Sequence, residues 1–271
     1  MIEDWDDAYA NGAHIADAGT YPPRWAAAAA AFRAGLGDRA ELDQPYGPGP
    51  RHRFDLFHPD GATRGVLIFV HGGYWRAFDK GSWSHLAAGP LARGYAVAMP
   101  SYTLCPEVRI GEITGEIAAA FETIAARVAG PIALAGHSAG GHLVCRMAST
   151  DIALPGELWA RVRSATSISG VHDLRPLLRT AMSDDLRLDA EEAAAESPAL
   201  ATPRDSLRLH AWVGAEERPE FRRQSALIAN IWSGFPVETA LTETPDRHHF
   251  DVIDDLAEAG SLLVKAILAE A

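Results

Sequence analysis

Cysteine, long apolar runs and clusters of basic residues are scarce or absent in this 271-residue sequence. Its two cysteines, Cys105 and Cys145, are too few for a disulfide framework and form no CxxC metal motif, so we expect two reduced, buried thiols. No window approaches about 18 consecutive apolar residues, so no transmembrane helix is predicted. The first residues, MIEDWDDAYANG, lack the basic start and apolar core of a signal peptide, which predicts a cytoplasmic protein.

Acidic residues outnumber basic ones by 36 to 24, which gives a net charge of −12. Such a chain is repelled by nucleic-acid phosphates and anionic membrane surfaces, so neither is an expected partner. Hydrophobic residues make up 48% and charged residues 22%, as in an ordinary globular protein rather than a disordered one. The length fits one α/β domain over residues 1–271. The oligomeric state stays open, with a homodimer as one alternative.

The chain divides into a short leader and a longer stretch of alternating strands and helices. Residues 1–50 are predicted to be a helical leader with a break at Tyr21-Pro22-Pro23, a helix over 25–34 and a turn cluster over 45–50. Short apolar runs then predict strands over 54–57, 66–70, 95–99, 132–135, 165–168, 209–213 and, more weakly, 237–241. Helical patterns lie between and after them, over 83–93, 113–128, 140–148, 220–232 and 251–269. This alternation predicts an α/β fold with a mostly parallel central sheet flanked by helices, and residues 172–203 are predicted to be a small helical cap insertion.

The strongest chemical motif is Gly136-His137-Ser138-Ala139-Gly140, which fits Gly-x-Ser-x-Gly. It follows the predicted strand over 132–135 and precedes a helical pattern, as a nucleophile turn must. In such a turn the serine takes a strained conformation that projects its hydroxyl above the sheet. We therefore predict that Ser138 is a nucleophile. The alternative is a glycine-rich turn whose serine only caps the helix.

A second motif, His71-Gly72-Gly73-Tyr74-Trp75, follows the strand VLIFV. Glycines let backbone N–H groups approach an oxyanion closely, where a Cβ would obstruct them. We predict an oxyanion hole formed by the amides of Gly72 and Gly73 together with the amide of Ala139. His71 is interpreted as a structural residue of this loop.

A serine nucleophile requires a base, and the base requires an acid that orients it. His248 and His249 lie between the last predicted strand and the C-terminal helical pattern, where the base belongs, and we prefer His249 because it directly precedes that pattern. The acid is expected after the strand over 209–213, where Glu216 and Glu217 both occur. Asp173, after the preceding strand, is a third candidate.

Taken together, HGGYW, GHSAGGHL, VGAEERPEFRRQS and HHFDVID resemble the kynurenine formamidase (arylformamidase) group of α/β-hydrolase esterases, which is related to the hormone-sensitive-lipase-like esterases with an HGGG loop. The resemblance implies the α/β-hydrolase fold, with Ser138 as nucleophile, His249 before Phe250 as base, and Gly72 and Gly73 in the oxyanion loop. It also implies Glu217, two positions before Pro219, as the acid. The family members known to us carry aspartate at that position, so this chain differs there by one methylene.

These motifs predict a serine hydrolase that cleaves small carboxylic esters or aryl formamides through an acyl-enzyme, without cofactor or metal. A narrower alternative is a dedicated N-formylkynurenine formamidase of tryptophan catabolism. A non-catalytic ligand-binding protein on the same fold, or a metalloenzyme using some of the 11 histidines, is a less favoured alternative, since no HExxH spacing occurs. Tyr74, Trp75 and Tyr102 are candidate walls of the substrate pocket, whereas Trp83 is interpreted mainly as a core residue.

Overall fold

The computed structural model describes residues 2–269 and contains one eight-stranded sheet. The strands are β1 (Ala40–Pro45), β2 (Arg53–Phe57), β3 (Val66–Val70), β4 (Ala96–Pro100), β5 (Ile132–His137), β6 (Val162–Ile168), β7 (Arg208–Gly214) and β8 (Glu238–Thr244). Their spatial order is β1-β2-β4-β3-β5-β6-β7-β8. The pairs β1–β2 and β2–β4 are antiparallel, and every later pair is parallel. The predicted α/β-hydrolase architecture is therefore confirmed.

Helices cover both faces of the sheet. They are α1 (Trp5–Tyr9), α2 (Tyr21–Leu36), α3 (Ala88–Ala92), α4 (Ile110–Arg127), α5 (Ala139–Met147), α6 (Gly156–Trp159), α7 (Met182–Leu186), α8 (Ala190–Ala195), α9 (Pro219–Trp232) and α10 (Leu262–Ile267). The buried residues of α4, α5 and α9 belong to one apolar core, and those of α2, α3 and α10 belong to the other. Central strands such as β3 are buried at every position, which explains why they read as unbroken apolar runs.

The leader differs from its prediction in two respects. Its end is a strand, since residues 40–45 form β1 and pair with β2 at the edge of the sheet. The sequence there, AELDQP, is mostly polar, as is typical of a half-exposed strand, so it contains no apolar run from which a strand would be predicted. In addition, Pro22 and Pro23 lie in the first turn of α2 rather than at a break. The N–H groups of a first helical turn have no acceptor within the helix, so proline loses no hydrogen bond at these positions.

Two further segments position the site. The helix predicted over 251–269 is instead a 3-10 turn at Asp254–Ala257 followed by α10, with Gly260 between them. Residues 172–203 form α7, α8 and two 3-10 turns between β6 and β7. Within residues 2–269, no helix is long and apolar enough to cross a membrane.

Candidate active site

Ser138 lies at the sharp turn between β5 and α5. Its backbone angles are φ 55° and ψ −116°, a conformation that a non-glycine residue adopts only when its surroundings enforce it. Two features fix this conformation. The Ser138 amide donates to the Ile168 carbonyl at 2.8 Å, and α5 begins at the next residue. The turn is also tightly packed, because a Cβ on Gly140 would lie 1.9 Å from the carbonyl oxygen of Val70. The motif thus takes the strained geometry that the sequence predicts.

The glycine loop after β3 lies directly against this turn. A Cβ on Gly72 would stand only 3.0 Å from the Cβ of Ser138, so the loop can approach the serine closely only with glycine there. Gly73 has a φ of 113°, and left-handed conformations continue at Tyr74 and Trp75. The loop is anchored from outside, since the Tyr74 hydroxyl donates to the Tyr9 carbonyl at 2.6 Å. The glycine loop is therefore held beside Ser138, the location that an oxyanion site requires.

His249 and Glu217 form a buried pair on the loops after β8 and β7. The Nδ1 atom of His249 lies 2.6 Å from Oε2 of Glu217, and the Glu217 side chain is fully buried. The other carboxylate oxygen, Oε1, accepts from the Gly214 amide at 2.9 Å and from the Ser169 hydroxyl. A carboxylate accepts only, so His249 carries its proton on Nδ1 and leaves Nε2 free to accept another. His249 and Ser138 both line the same cavity.

The other candidates for base and acid lie in different environments. His248 contacts the Tyr21 hydroxyl at 3.0 Å through Nε2 and accepts from the amides of Phe250 and Asp251 through Nδ1. Glu216 is exposed to solvent. Asp173 pairs with Arg175 at 2.9 Å. Among these residues, Glu217 is the carboxylate that contacts His249.

His137, the residue before the nucleophile, was not assigned a role by the sequence. Its Nε2 lies 2.9 Å from the carbonyl oxygen of His249, so that nitrogen carries the proton and donates it to the carbonyl. The His137 and His249 rings lie 4.7 Å apart. Burial, together with the neighbouring His249, holds the pKa of His137 well below its usual value, so the ring is neutral. The nucleophile turn is in this way tied to the loop that carries His249.

Two more histidines near the motifs are also neutral and buried. Burial lowers the pKa of His71 to about 4, and its Nδ1 lies 2.7 Å from the Gly72 carbonyl. Burial lowers the pKa of His142 to about 3, and its Nε2 donates to the Glu196 carbonyl at 2.6 Å. Both contacts hold backbone in place, and neither ring lines the cavity.

The cavity at Ser138 has a volume of about 520 Å³. One part of its wall is a cluster of aromatic rings in which Trp25 contacts each of the other three, Phe78, Trp83 and Phe250. Another part comes from Asp6 and residues 9–12 of the leader and from Ala181, Met182 and Asp185. At the rim, Arg76 forms an ion pair with Asp185. The cavity is therefore apolar and aromatic in one region and polar in another.

The predictions for the pocket wall need correction. Tyr74 lines the cavity, but Trp75 and Tyr102 do not, since both are completely buried. The turn at Trp75 directs its ring into the core, where it packs edge-on against His142 with ring centroids 5.1 Å apart. Tyr102 stacks on His71 at 4.4 Å and donates to its carbonyl, so it supports the glycine loop from behind. Trp83 is both 2% exposed, like a core residue, and part of the cavity wall.

Several wall residues had no signal in the sequence. Asn11 and Trp25 come from the leader and reach the cavity only through tertiary packing. Phe250 belongs to the HHFDVID motif, which gives no indication that its ring lines a cavity. Across residues 2–269, no cluster of three His, Cys, Asp or Glu side chains has the arrangement of a metal site.

Comparisons with known proteins are consistent with this geometry. Residues 67–266 match the sequence profile of the Alpha/beta hydrolase family. The chain belongs to the α/β-hydrolase family. Kynurenine formamidase of Danio rerio is 26% identical over 238 residues, which cover 84% of this chain and 80% of the fish protein. Kynurenine formamidase of Drosophila melanogaster is 28% identical over 227 residues, which cover 78% of this chain and 75% of the fly protein.

A solved structure from Silicibacter sp. TM1040, described as that of a proposed thioesterase, is 52% identical, with a TM-score of 0.94 and coverage of 98% of this chain and 99% of that one. The resemblance to kynurenine formamidase-like α/β-hydrolase esterases is thus confirmed, and the protein is a hydrolase.

Proposed function

We propose that this hydrolase cleaves small carboxylic esters or aryl formamides through an acyl-enzyme on Ser138. The observation that carries the proposal is the buried contact between His249 and Glu217, 2.6 Å long, at the cavity that Ser138 also lines. A nucleophile, a base with a free Nε2 and a carboxylate that orients the base are the three parts that serine hydrolysis needs. The adjacent glycine loop supplies a fourth, the oxyanion site.

The proposed reaction has two stages. Ser138 Oγ attacks the substrate carbonyl while His249 Nε2 takes the hydroxyl proton, and the carbonyl oxygen becomes an oxyanion held by the amides of Gly72, Gly73 and Ala139. The bond to the leaving group then breaks, and His249 transfers its proton to the departing oxygen or nitrogen. In the second stage a water attacks the acyl-enzyme, gives its proton to His249 and releases the acid, after which the proton returns to Ser138. Glu217 stabilises the imidazolium in both stages.

The cavity supports an aromatic substrate of modest size. Rings such as Trp25 and Phe250 bind an aryl group by burial and by edge or offset contacts. The named activity of the fish and fly relatives favours an aryl formamide, with N-formylkynurenine as the narrower proposal. The name of the bacterial structure adds a thioester as a comparison substrate. We also propose that residues 172–203 are the cap of a single-domain hydrolase, since three of these residues line the cavity.

The test is kcat/KM for N-formylkynurenine, p-nitrophenyl acetate and an aryl thioacetate, measured on the wild-type protein and on Ser138→Ala. We expect activity to fall by at least about 10³-fold in the variant, because the members of such a triad act as a unit. Ser233→Ala, an exposed serine at the end of α9, is the matched control and should retain full activity. A strong preference for the formamide supports the narrower proposal, and turnover of the ester alone supports a short-chain esterase. Full activity in Ser138→Ala contradicts the mechanism.

A further inference from the structure

Phe78 lies shortly after the glycine loop, and its backbone is strained. Its φ is 70°, a left-handed conformation that is an outlier for a bulky residue. Nη2 of Arg51 donates to the Phe78 carbonyl, and the ring packs edge-on against Trp25 and Trp83, with centroid distances of 6.0 and 5.7 Å. Strain of this kind persists only where the surroundings enforce it, and it clusters at functional sites.

The strained turn places the Phe78 ring against the glycine loop and at the surface of the cavity. A Cβ on Gly73 would lie 2.8 Å from Cδ2 of Phe78, so the ring packs directly on the backbone of that glycine. The ring is only half-buried and lines the cavity that contains Ser138. A substrate in the cavity can therefore touch Phe78 beside the loop that holds its carbonyl oxygen in the proposed mechanism.

Phe250 occupies the other end of the same aromatic wall. It directly follows His249, with 6.2 Å between the two ring centroids, and it is also half-buried and lines the cavity. Trp25 contacts both phenylalanines, at 6.0 Å from Phe78 and 5.4 Å from Phe250. The wall thus runs from the glycine loop at Phe78, through Trp25, to the proposed base beside Phe250.

The proposed chemistry orients a substrate along this wall. The carbonyl oxygen faces the glycine loop, and the leaving atom faces His249, because that histidine supplies its proton. The leaving group therefore extends past His249 towards Phe250. The acyl substituent is the third group on the carbonyl carbon, so it points away from His249, and the ring at that end of the wall is Phe78.

We infer that Phe78 is a specificity-determining residue whose ring limits the length of the acyl group, whereas Phe250 contacts the leaving group. The site then accepts formyl and acetyl groups and discriminates against longer acyl chains. This inference rests on the proposed serine-hydrolase function and deepens it, because it assigns the two ends of the substrate to the two ends of the aromatic wall.

The first test varies the acyl group at a constant leaving group. The measured quantity is kcat/KM for p-nitrophenyl acetate, butyrate and hexanoate on the wild-type protein, Phe78→Ala, Phe78→Gly and Phe235→Ala. Phe78→Gly removes the ring and also the backbone strain, since glycine adopts a positive φ readily, so it protects the test against misfolding of the alanine variant. Phe235 is an exposed phenylalanine outside the cavity wall and serves as the matched control.

We expect kcat/KM of the wild-type protein to fall from the acetate to the hexanoate. In both Phe78 variants the butyrate-to-acetate ratio should rise about 4- to 16-fold, because each methylene that gains burial contributes about 4-fold. The ratio should stay unchanged in Phe235→Ala. A ratio that is unchanged in both Phe78 variants, or a wild-type protein that prefers the hexanoate, overturns the inference. Thermal unfolding of each protein establishes that the variants are folded.

The second test varies the leaving group at a constant acetyl group, with phenyl acetate and trifluoroethyl acetate. Comparing the ratio of kcat/KM between proteins cancels the intrinsic difference in reactivity. Phe250→Ala should lower the aryl-to-alkyl ratio about 2- to 12-fold, the range that one aromatic contact gives, and Phe78→Ala should leave it unchanged.

The two tests together distinguish the inference from the function on which it rests. If Phe250→Ala changes the acyl-chain profile and Phe78→Ala changes the leaving-group ratio, the assignment of the two ends is overturned while the proposed function stands. Failure of the proposed function is recognised separately, because Ser138→Ala would then hydrolyse these esters as fast as the wild-type protein does.

Discussion

Replacing Glu217 by glutamine is the most incisive perturbation of the candidate site, because it keeps the shape of the side chain and removes only its charge. Two donors, the Gly214 amide and the Ser169 hydroxyl, contact Oε1 of the native carboxylate. They will hold the oxygen of the new amide at that position, so its NH₂ group must face Nδ1 of His249. Nδ1 then has to accept a hydrogen bond, which moves the histidine proton to Nε2. In that tautomer Nε2 cannot take the proton of Ser138.

The magnitude follows from the geometry. The side chains of Glu217 and His249 are in direct contact and buried, with 2.6 Å between Oε2 and Nδ1, so the imidazolium of the proposed reaction forms against the carboxylate. Charges whose centres are about 4 Å apart attract by about 4 kcal/mol at an effective dielectric of about 20. That energy corresponds to about 10³ in rate, and the wrong tautomer raises the expected loss of kcat towards about 10⁴. Glu217→Asp keeps the charge but shortens the reach by one methylene, so we expect a smaller loss, about 10- to 100-fold.

The assay is steady-state kcat and kcat/KM on an aryl ester and an aryl formamide, with thermal unfolding as the check on folding. Glu216→Gln is the matched control, since Glu216 is the exposed neighbour of Glu217 and its charge should not matter to the rate. If Glu217→Gln retained more than about a tenth of the wild-type kcat, the argument from tautomer and charge would be refuted. Equal losses in Glu216→Gln and Glu217→Gln would point to a general charge effect instead.

Two further predictions follow from the buried histidines. His137→Leu removes the donor to the His249 carbonyl, so kcat should fall about 2- to 12-fold with a smaller change in KM, and His137→Gln, which keeps an N–H donor, should recover part of the loss. Stability should fall on acidification, because burial lowers the pKa of His71 to about 4 and of His142 and His172 to about 3, whereas unfolded histidine titrates near 6.5. Below pH 6.5 the unfolded chain binds protons that the folded chain excludes. The free energy of unfolding therefore falls by up to about 1.4 kcal/mol per pH unit for each histidine.

Each of these two has a defined contrary result. For His137, equal effects of leucine and glutamine on kcat would show that the hydrogen bond to the His249 carbonyl is not what matters. For acidification, the midpoint of urea unfolding is measured from pH 7.5 to pH 5, a window that lies above the titration of most carboxylates. A midpoint that is constant or rises as the pH falls through that window would contradict the assignment of neutral, buried histidines.

The parts of the site that the sequence predicts are those fixed by local backbone geometry. The strained turn at Ser138 and the close approach at Gly72 require particular residues within a few positions, so a short motif records them. The loop positions of His249 and Glu217 follow from strand order, since the carboxyl ends of parallel strands share one edge of the sheet.

The residues of the cavity wall could not be predicted from the sequence in this way. Asn11 reaches the cavity because Tyr9 is bound by Glu220, a residue 211 positions away in the chain. No spacing rule links such segments, and the polar sequence around Asn11 looks like an ordinary surface turn. Trp75 shows the reverse error: an aromatic residue beside the glycine loop suggests a pocket wall, but its backbone turn directs the ring into the core. A tertiary contact brings Asn11 to the cavity, and a local backbone turn directs Trp75 into the core.

The arrangement of histidines explains how proton transfer can be confined to one of them. The His137 and His249 rings are 4.7 Å apart, so two charged rings there would repel each other strongly. Burial and the neighbouring His249 keep His137 neutral, so in the proposed mechanism His137 does not compete with the imidazolium that forms on His249. Glu217 supplies a counter-charge on the Nδ1 side of His249 alone. In the proposed mechanism, this arrangement confines the positive charge to His249, at the cavity that Ser138 also lines.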